Sequence, residues 1–325
     1  MSERRALITG IGGQDGSYLA ELLLERGYEV AGIVRDGSSV YPNLSVVRDR
    51  VAVVEVDLLD QDALVYVLRD HRPHEVYNLA SPSFVPMSWE FPVRTAEFAA
   101  VGVTSLLEAV RAVDESVRIF QASSSEIFGA ATEVPQTERT PLAPVTPYGV
   151  AKAYGHFIVG SYRRRYRLHA SCGIVYNHES PRRPLDFLPS KVAHFAAAIS
   201  LGREETLPIG ALDAQRDWGY ARDYVEAMWL MLQQDEPDDY VVATGSLHSV
   251  RELVDVAFSR VGLDWQAHVL VDESLRRGEA ELHHLVGDAS KVRRQLGWAP
   301  SIGFEDLVAL LVDAALERLG PQTSS

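Results

Sequence analysis

The first 26 residues constrain the fold most. Arg5 to Thr9 is a short apolar run that suits a buried strand, Gly10-Ile11-Gly12-Gly13-Gln14-Asp15-Gly16 follows at once, and Tyr18 to Arg26 is amphipathic and stops at Gly27. Strand, glycine turn and helix in this order let backbone N–H groups at a helix N-terminus cradle a pyrophosphate. The glycines fall as GxxGxxG at Gly10, Gly13 and Gly16. Gly10 allows the tight turn, Gly13 lets a phosphate approach the backbone, and Gly16 lets the helix lie close to the sheet. Gly12, Gln14 and Asp15 share the turn and join the expected cofactor contacts. Three glycines alone say little; their place between a strand and a helix gives them weight.

The following 150 residues repeat the alternation. Strands are expected at 29–34, 51–55, 75–80, 117–121 and about 168–175, with helices at 61–72, 92–113 and 146–166. This predicts an α/β fold with a doubly wound, Rossmann-type parallel sheet. After Tyr176 the chain turns polar and proline-punctuated, then gives helices at about 187–201, 223–234, 249–262 and 303–318 and strands at 206–209 and 240–243. A dinucleotide-binding domain is therefore expected from 1–176 plus about 216–244. A smaller α/β substrate lobe is expected from about 177–215 and 245–319, with 320–325 a tail. The tip of the second strand bears on cofactor choice: an arginine there meets a 2′-phosphate, a carboxylate the ribose hydroxyls. The chain offers Arg35 and then Asp36, which leans to NADP and leaves NAD as the alternative. Asp57 and Leu58 are placed to meet the adenine edge, and Asn78, Leu79 and Ala80 to lie beside the cofactor ribose, with Ser81 a further expected cofactor contact.

The chemistry concentrates in 122–152. Ser124 and Glu126 are two apart after the apolar run Val117–Phe120, so a strand points both to one side. Tyr148 and Lys152 are four apart, so a helix stacks them on one face. A phenol is a poor base at neutral pH, and a neighbouring ammonium is expected to lower its pKa. The net charge of −14 argues against general nucleic-acid binding. No apolar run approaches the roughly 20 residues of a membrane span. The N-terminus reaches a strand without signal-peptide features, and the single cysteine, Cys172, lies in an apolar run and reads as core. A cytoplasmic protein without membrane association is expected. The ten histidines include no HxH or HxxxH spacing, so no metal is expected, and His178 reads as a packed, hydrogen-bonded residue.

Four blocks, Thr9 to Gly16, Asn78-Leu79-Ala80, Ser123 to Glu126 and Tyr148-x-x-x-Lys152, together resemble the extended short-chain dehydrogenase/reductases acting on nucleotide sugars. Within them, Gly12 to Leu19, Asn177 to Arg183, Arg216 to Gly219 and Asp223 to Gln234 resemble the GDP-mannose 4,6-dehydratases, and the likeness covers essentially the whole chain. It implies a tightly bound, recycled NADP (or NAD) and a nucleotide-diphosphate sugar as partner. Tyr148, assisted by Lys152, takes the sugar 4-hydroxyl proton, and Ser124 hydrogen-bonds the 4-oxygen. Glu126 then moves protons during loss of water across C5 and C6. Asn177, Lys191, Arg216 and Arg277 are implied on the diphosphate, with Ser83, Ser125, Glu126 and Glu281 as further substrate contacts. A homodimer through helices 92–113 and 146–166, or a homotetramer, is implied as well. Departures from the family pattern lie at Ser124 (threonine in the family), Ser81-Pro82, Arg35-Asp36, Pro189-Ser190, Gln215 and Arg276 to Glu281. The rival reading keeps the same core in a decarboxylase of a UDP- or TDP-glucuronate, a 4-epimerase or a 4-keto reductase.

Overall fold

The computed structural model describes residues 4–35, 41–275 and 284–320. Asp36, Arg276, Arg277, Glu281 and the expected tail from 321 onward lie outside the described residues. Seven parallel strands form one sheet: β1 (Arg5–Thr9), β2 (Glu29–Val34), β3 (Ala52–Glu55), β4 (Glu75–Asn78), β5 (Arg118–Ala122), β6 (Ala170–Val175) and, last in sequence, Asp239–Val242. Their spatial order runs Asp239–Val242, β6, β5, β4, β1, β2, β3. The order reverses between β1 and β4, so a crevice opens at their C-terminal ends, where open α/β sheets bind ligands.

Both faces of the sheet are covered. Helices Gln14–Glu25 and Ala221–Leu232 bury one face with Leu19, Leu23, Tyr224 and Met228; helices Gln61–His71, Gly102–Val113 and Pro147–Tyr166 bury the other with Leu64, Leu68, Leu107 and Val159. The strands are accordingly apolar on both sides, as a buried parallel sheet requires. Cys172 is fully buried in β6. A third apolar cluster holds the lobe together, drawing Val192 and Ala196 from helix Leu188–Ser200, Leu253 and Phe258 from Val250–Arg260, and Leu307 and Leu311 from Phe304–Leu319. Helix Ser290–Leu296, not foreseen in the sequence, packs back on Asp239–Val242 and on Ala221–Leu232. Among the described residues, no helix is long and apolar enough to cross a membrane.

Three expected elements are corrected. The first helix starts at Gln14 rather than Tyr18, because the carbonyl of the N-cap Gly13 already accepts the Ser17 N–H at 3.1 Å. The expected helix 92–113 is interrupted by a π turn, Glu97–Val101, between Pro92–Ala96 and Gly102–Val113. The fourth strand stops at Asn78, where Leu79 and Ala80 turn their N–H groups onto the Thr9 hydroxyl, each at 3.1 Å.

Candidate active site

Two glycines shape the phosphate turn. Gly10 has φ +70°, and a Cβ there would stand 2.9 Å from the Ala80 Cα. A Cβ on Gly16 would fall 2.4 Å from the Gly10 carbonyl oxygen. The turn is thus close-wound against the end of β4, and no side chain caps the helix that follows. Its first N–H groups are left to a ligand, the geometry that receives an anion.

A cavity of about 750 Å³ opens in front of this turn. Its walls bring together Gly10, Gly13, Gln14, Asp15, Gly16, Leu79, Ser81, Ser83, Ser124, Glu126, Tyr148, Lys152, Asn177, Lys191 and Arg216. Other expected site residues lie elsewhere. A Cβ on Gly12 would meet the Tyr41 ring at 2.2 Å. Arg35 is exposed, 5.5 Å from the Phe98 ring. The Asp57 carboxylate accepts from the Leu59 N–H, Leu58 is buried in the core, Ala80 lies against Gly10, and Ser125 is buried in the 3-10 turn Ser125–Ile127. Gln215, paired in register with Ser249, and Pro82 do not line the cavity.

The four chemical groups are set by two element ends. The β5 strand ends at Ala122, so Ser124 and Glu126 are not alternate strand residues as the spacing suggested. Ser124 caps the following turn, its Oγ accepting the Glu126 N–H at 3.2 Å. Tyr148 and Lys152 lie in the first turns of Pro147–Tyr166, whose N-cap Thr146 accepts the Gly149 N–H at 3.0 Å. Lys152 Nζ donates to the Ala122 carbonyl at 2.9 Å and stands 5.7 Å from the Tyr148 ring centre. One lysine thereby joins the helix to the strand end. Burial pushes its pKa down to about 8, so it still carries its charge at neutral pH.

The expectation of a lowered phenol pKa is corrected for the protein alone. Burial pushes Tyr148 up to about 12; the Ser124 hydroxyl and Arg183 pull it down, while Glu126 and Asp15 raise it further. Desolvation of a phenolate outweighs the nearby charges, so Tyr148 rests protonated and further positive charge is needed to make it a base.

The contacts between the lining residues carried no sequence signal of their own. Segment 177–183 forms one wall. Asp15 Oδ2 meets His178 Nε2 at 2.8 Å, and Gln14 bridges to the His178 carbonyl and the Ser180 hydroxyl at 3.1 and 2.8 Å. Burial raises the Asp15 pKa, but His178 outweighs it and holds the carboxyl at about 2; His178 is desolvated yet raised by Asp15. His178 is thus packed, stacked on Tyr224 at 4.6 Å, as the sequence suggested. Lys191 donates to the Pro208 carbonyl at 2.9 Å, and Arg216 Nη1 to the Gln215 carbonyl at 2.7 Å. Phe84, expected from the sequence to line the pocket, does so together with Trp89 from the same stretch after β4 and Phe187 from the cap of helix Leu188–Ser200.

Away from the cavity, His156, Cys172 and Asp239 place ligand-type atoms within 4.8 Å of one another. Asp239 is already engaged there: Arg163 donates to both of its oxygens, the nearer at 2.5 Å, and the Cys172 N–H lies at 3.3 Å. Burial pushes the Cys172 thiol up and His156 down, so the trio reads as a buried ion pair beside a thiol.

A sequence profile described as GDP-mannose 4,6 dehydratase matches residues 7–311. GDP-mannose 4,6 dehydratase 1 of Arabidopsis thaliana is 46% identical, with 96% of this chain and 90% of that protein covered. The GDP-mannose 4,6 dehydratase of Homo sapiens is 44% identical, with 97% and 92% covered. Among solved structures, UDP-glucose 4-epimerase of Thermotoga maritima with UDP-glucose superposes with a TM-score of 0.85 at 25% identity, covering 97% of this chain and 99% of that one. The dTDP-glucose 4,6-dehydratase of Streptomyces venezuelae with NAD and TYD bound gives 0.84 at 26% identity, covering 97% and 98%.

Proposed function

The chain belongs to the GDP-mannose 4,6-dehydratase family, and from that membership we propose how its own residues divide the reaction. It is a nicotinamide-dependent lyase that converts GDP-mannose to GDP-4-keto-6-deoxymannose. The observation that carries the division of roles is the convergence of Ser124, Glu126, Tyr148 and Lys152 on one cavity that begins at the phosphate turn.

The residues present fit a dinucleotide. The close-wound Gly10–Gly16 turn and the uncapped helix N-terminus suit its pyrophosphate, and the cavity continues from there to Tyr148. Gly10, Gly13, Gln14, Gly16, Leu79 and Ser81 hold it. When bound, a nicotinamide supplies acceptance and return of the hydride. NADP is favoured over NAD by Arg35 at the end of β2, and mass spectrometry of the dinucleotide released on denaturation decides between them.

Tyr148 takes the 4-hydroxyl proton as C4 is oxidised, with Ser124 hydrogen-bonded to the 4-oxygen. Lys152, fixed on the Ala122 carbonyl, keeps a positive charge beside the phenol. The new 4-keto group acidifies C5. Glu126 removes the C5 proton and delivers a proton to the departing 6-hydroxyl, which leaves as water. A bound nicotinamide would supply the hydride again at C6, and the proton that Tyr148 took from the 4-hydroxyl goes to C5, so that the tyrosine ends as it began. Asn177, Lys191 and Arg216, from three separate elements, face the same cavity and bind the sugar diphosphate; arginine suits a phosphate by its forked donors. Glu126→Gln is expected to slow water loss by at least about 100-fold and to let a 4-keto sugar that keeps its 6-hydroxyl accumulate. Unchanged dehydration in that variant removes Glu126 from the mechanism.

A homodimer and a cytoplasmic location complete the reading. Helices Pro92–Ala96 and Pro147–Tyr166, with the π turn between Ala96 and Gly102, expose Val93 (72%), Val101 (52%), Val150 (55%) and Phe157 (60%). Such an apolar face suits a second copy across a two-fold axis. Sedimentation at the mass of a single chain excludes it.

A further inference from the structure

Arg183 is the cation that the four-residue chemical core does not account for. Its guanidinium lies 3.5 Å from the centre of the Phe187 ring, at the start of helix Leu188–Ser200. The Phe187 ring in turn meets Phe84 edge to face, centres 5.5 Å apart, at 72°. Phe84 comes from the loop after β4, on the dinucleotide side. The row Phe84, Phe187, Arg183 therefore spans the cleft, and all three residues line the cavity that holds Tyr148. Arg183 Nε comes within 3.4 Å of Glu179 Oε2, yet both atoms are buried without a hydrogen-bond partner among the described residues. The Phe187 ring face and the Glu179 carboxylate both flank this guanidinium, and the ring contact is one that works for a desolvated cation.

We propose that Phe187 is a positioning residue that holds Arg183 as a second, permanent cation for the catalytic tyrosine. The need for one follows from the site. Tyr148 shares the cavity with Lys152 of its own helix, Ser124 and Glu126 after the end of β5, Asp15 at the phosphate turn and Arg183 of segment 177–183. Two of these are carboxylates that oppose a phenolate. Lys152 is held on the Ala122 carbonyl, and burial brings its pKa down to about 8, so its charge fades as the medium becomes alkaline. A guanidinium does not titrate in that range. Arg183 acts to lower the Tyr148 pKa, and its charge is shared with Asp15, His178 and Glu179 around it. Its direction, not only its presence, then matters, and Phe187 sets the direction.

The proposal rests on Tyr148 being the base, and the test separates the two. In Phe187→Leu, which keeps the volume and loses the ring, the Arg183 Nε–H signal in ¹⁵N NMR is expected to become mobile. The acid limb of the kcat/KM profile is expected to move up by about one pH unit, a tenfold loss of rate on the acid side. Phe187→Tyr is expected to restore both, and Arg183→Lys to shift the limb as Phe187→Leu does. An ordered Arg183 signal in Phe187→Leu overturns the proposal. So does a mobile signal with the acid limb unmoved, or a loss confined to thermal stability. If Tyr148→Phe leaves turnover intact, the assignment of the base fails instead, while the NMR signal still reports whether Phe187 orients Arg183.

Discussion

At the scale of single residues, the site is a set of charges whose environments oppose one another. Tyr148 is driven toward its neutral form by burial and Lys152 toward neutrality as well, so neither performs its role on its side chain's ordinary pKa. Asp15 and His178 do the reverse, each stabilising the other's charge. Asp15 has a folded value of about 2 against 3.8 unfolded, so its contribution is present above pH 3.8 and is lost as pH falls toward 2. His178 is raised above 6.5, so its contribution is full below that pH and is lost as pH rises through the raised value. The stabilisation by the pair is therefore greatest between about pH 4 and 6.5. Thermal melts of wild type and Asp15→Asn are expected to differ most in that window and to converge on both sides of it. A pH-independent offset contradicts the pairing.

At the scale of elements, what was legible in the sequence is what local rules decide. The Gly10–Gly16 turn, the alternation through β6 and the Tyr148–Lys152 spacing depend on periodicity and backbone freedom, and the structure keeps them. The placement of Ser124 and Glu126 was misread because a strand end, unlike a strand, has no fixed period: Ser124 leaves the sheet to cap a turn. The wall from 177 to 183 was legible as a motif but not as a contact, since its partners Gln14 and Asp15 lie more than 160 residues away. Likewise, the Phe84–Phe187 pair could not be read from spacing, because its two rings come from segments far apart in the sequence. The element that aims the tyrosine depends on one local device, the Thr146 cap. Thr146→Ala is expected to cost about 1 kcal/mol by loss of that hydrogen bond. Chemical denaturation measures the cost, and hydrogen exchange should place the new fraying at Tyr148 and Gly149. Unaltered exchange at those amides argues that packing alone holds the helix start.

At the scale of the molecule, the parallel sheet brings the phosphate turn and the β5 end to one edge, and Lys191 and Arg216, from the later part of the chain, line the same cavity. Placing both a dinucleotide and a sugar diphosphate along one cavity lets a hydride be taken from one carbon and returned to another without leaving the site. A dehydratase needs this continuity, and a simple dehydrogenase does not. The direct measurement is turnover of GDP-mannose carrying deuterium at C4, followed by mass spectrometry and NMR of the product. The structure predicts a product lighter by one water, with the deuterium on C6 of the same sugar. Deuterium retained at C4, or lost to solvent or to free cofactor, contradicts an oxidation, elimination and return carried out within this cavity.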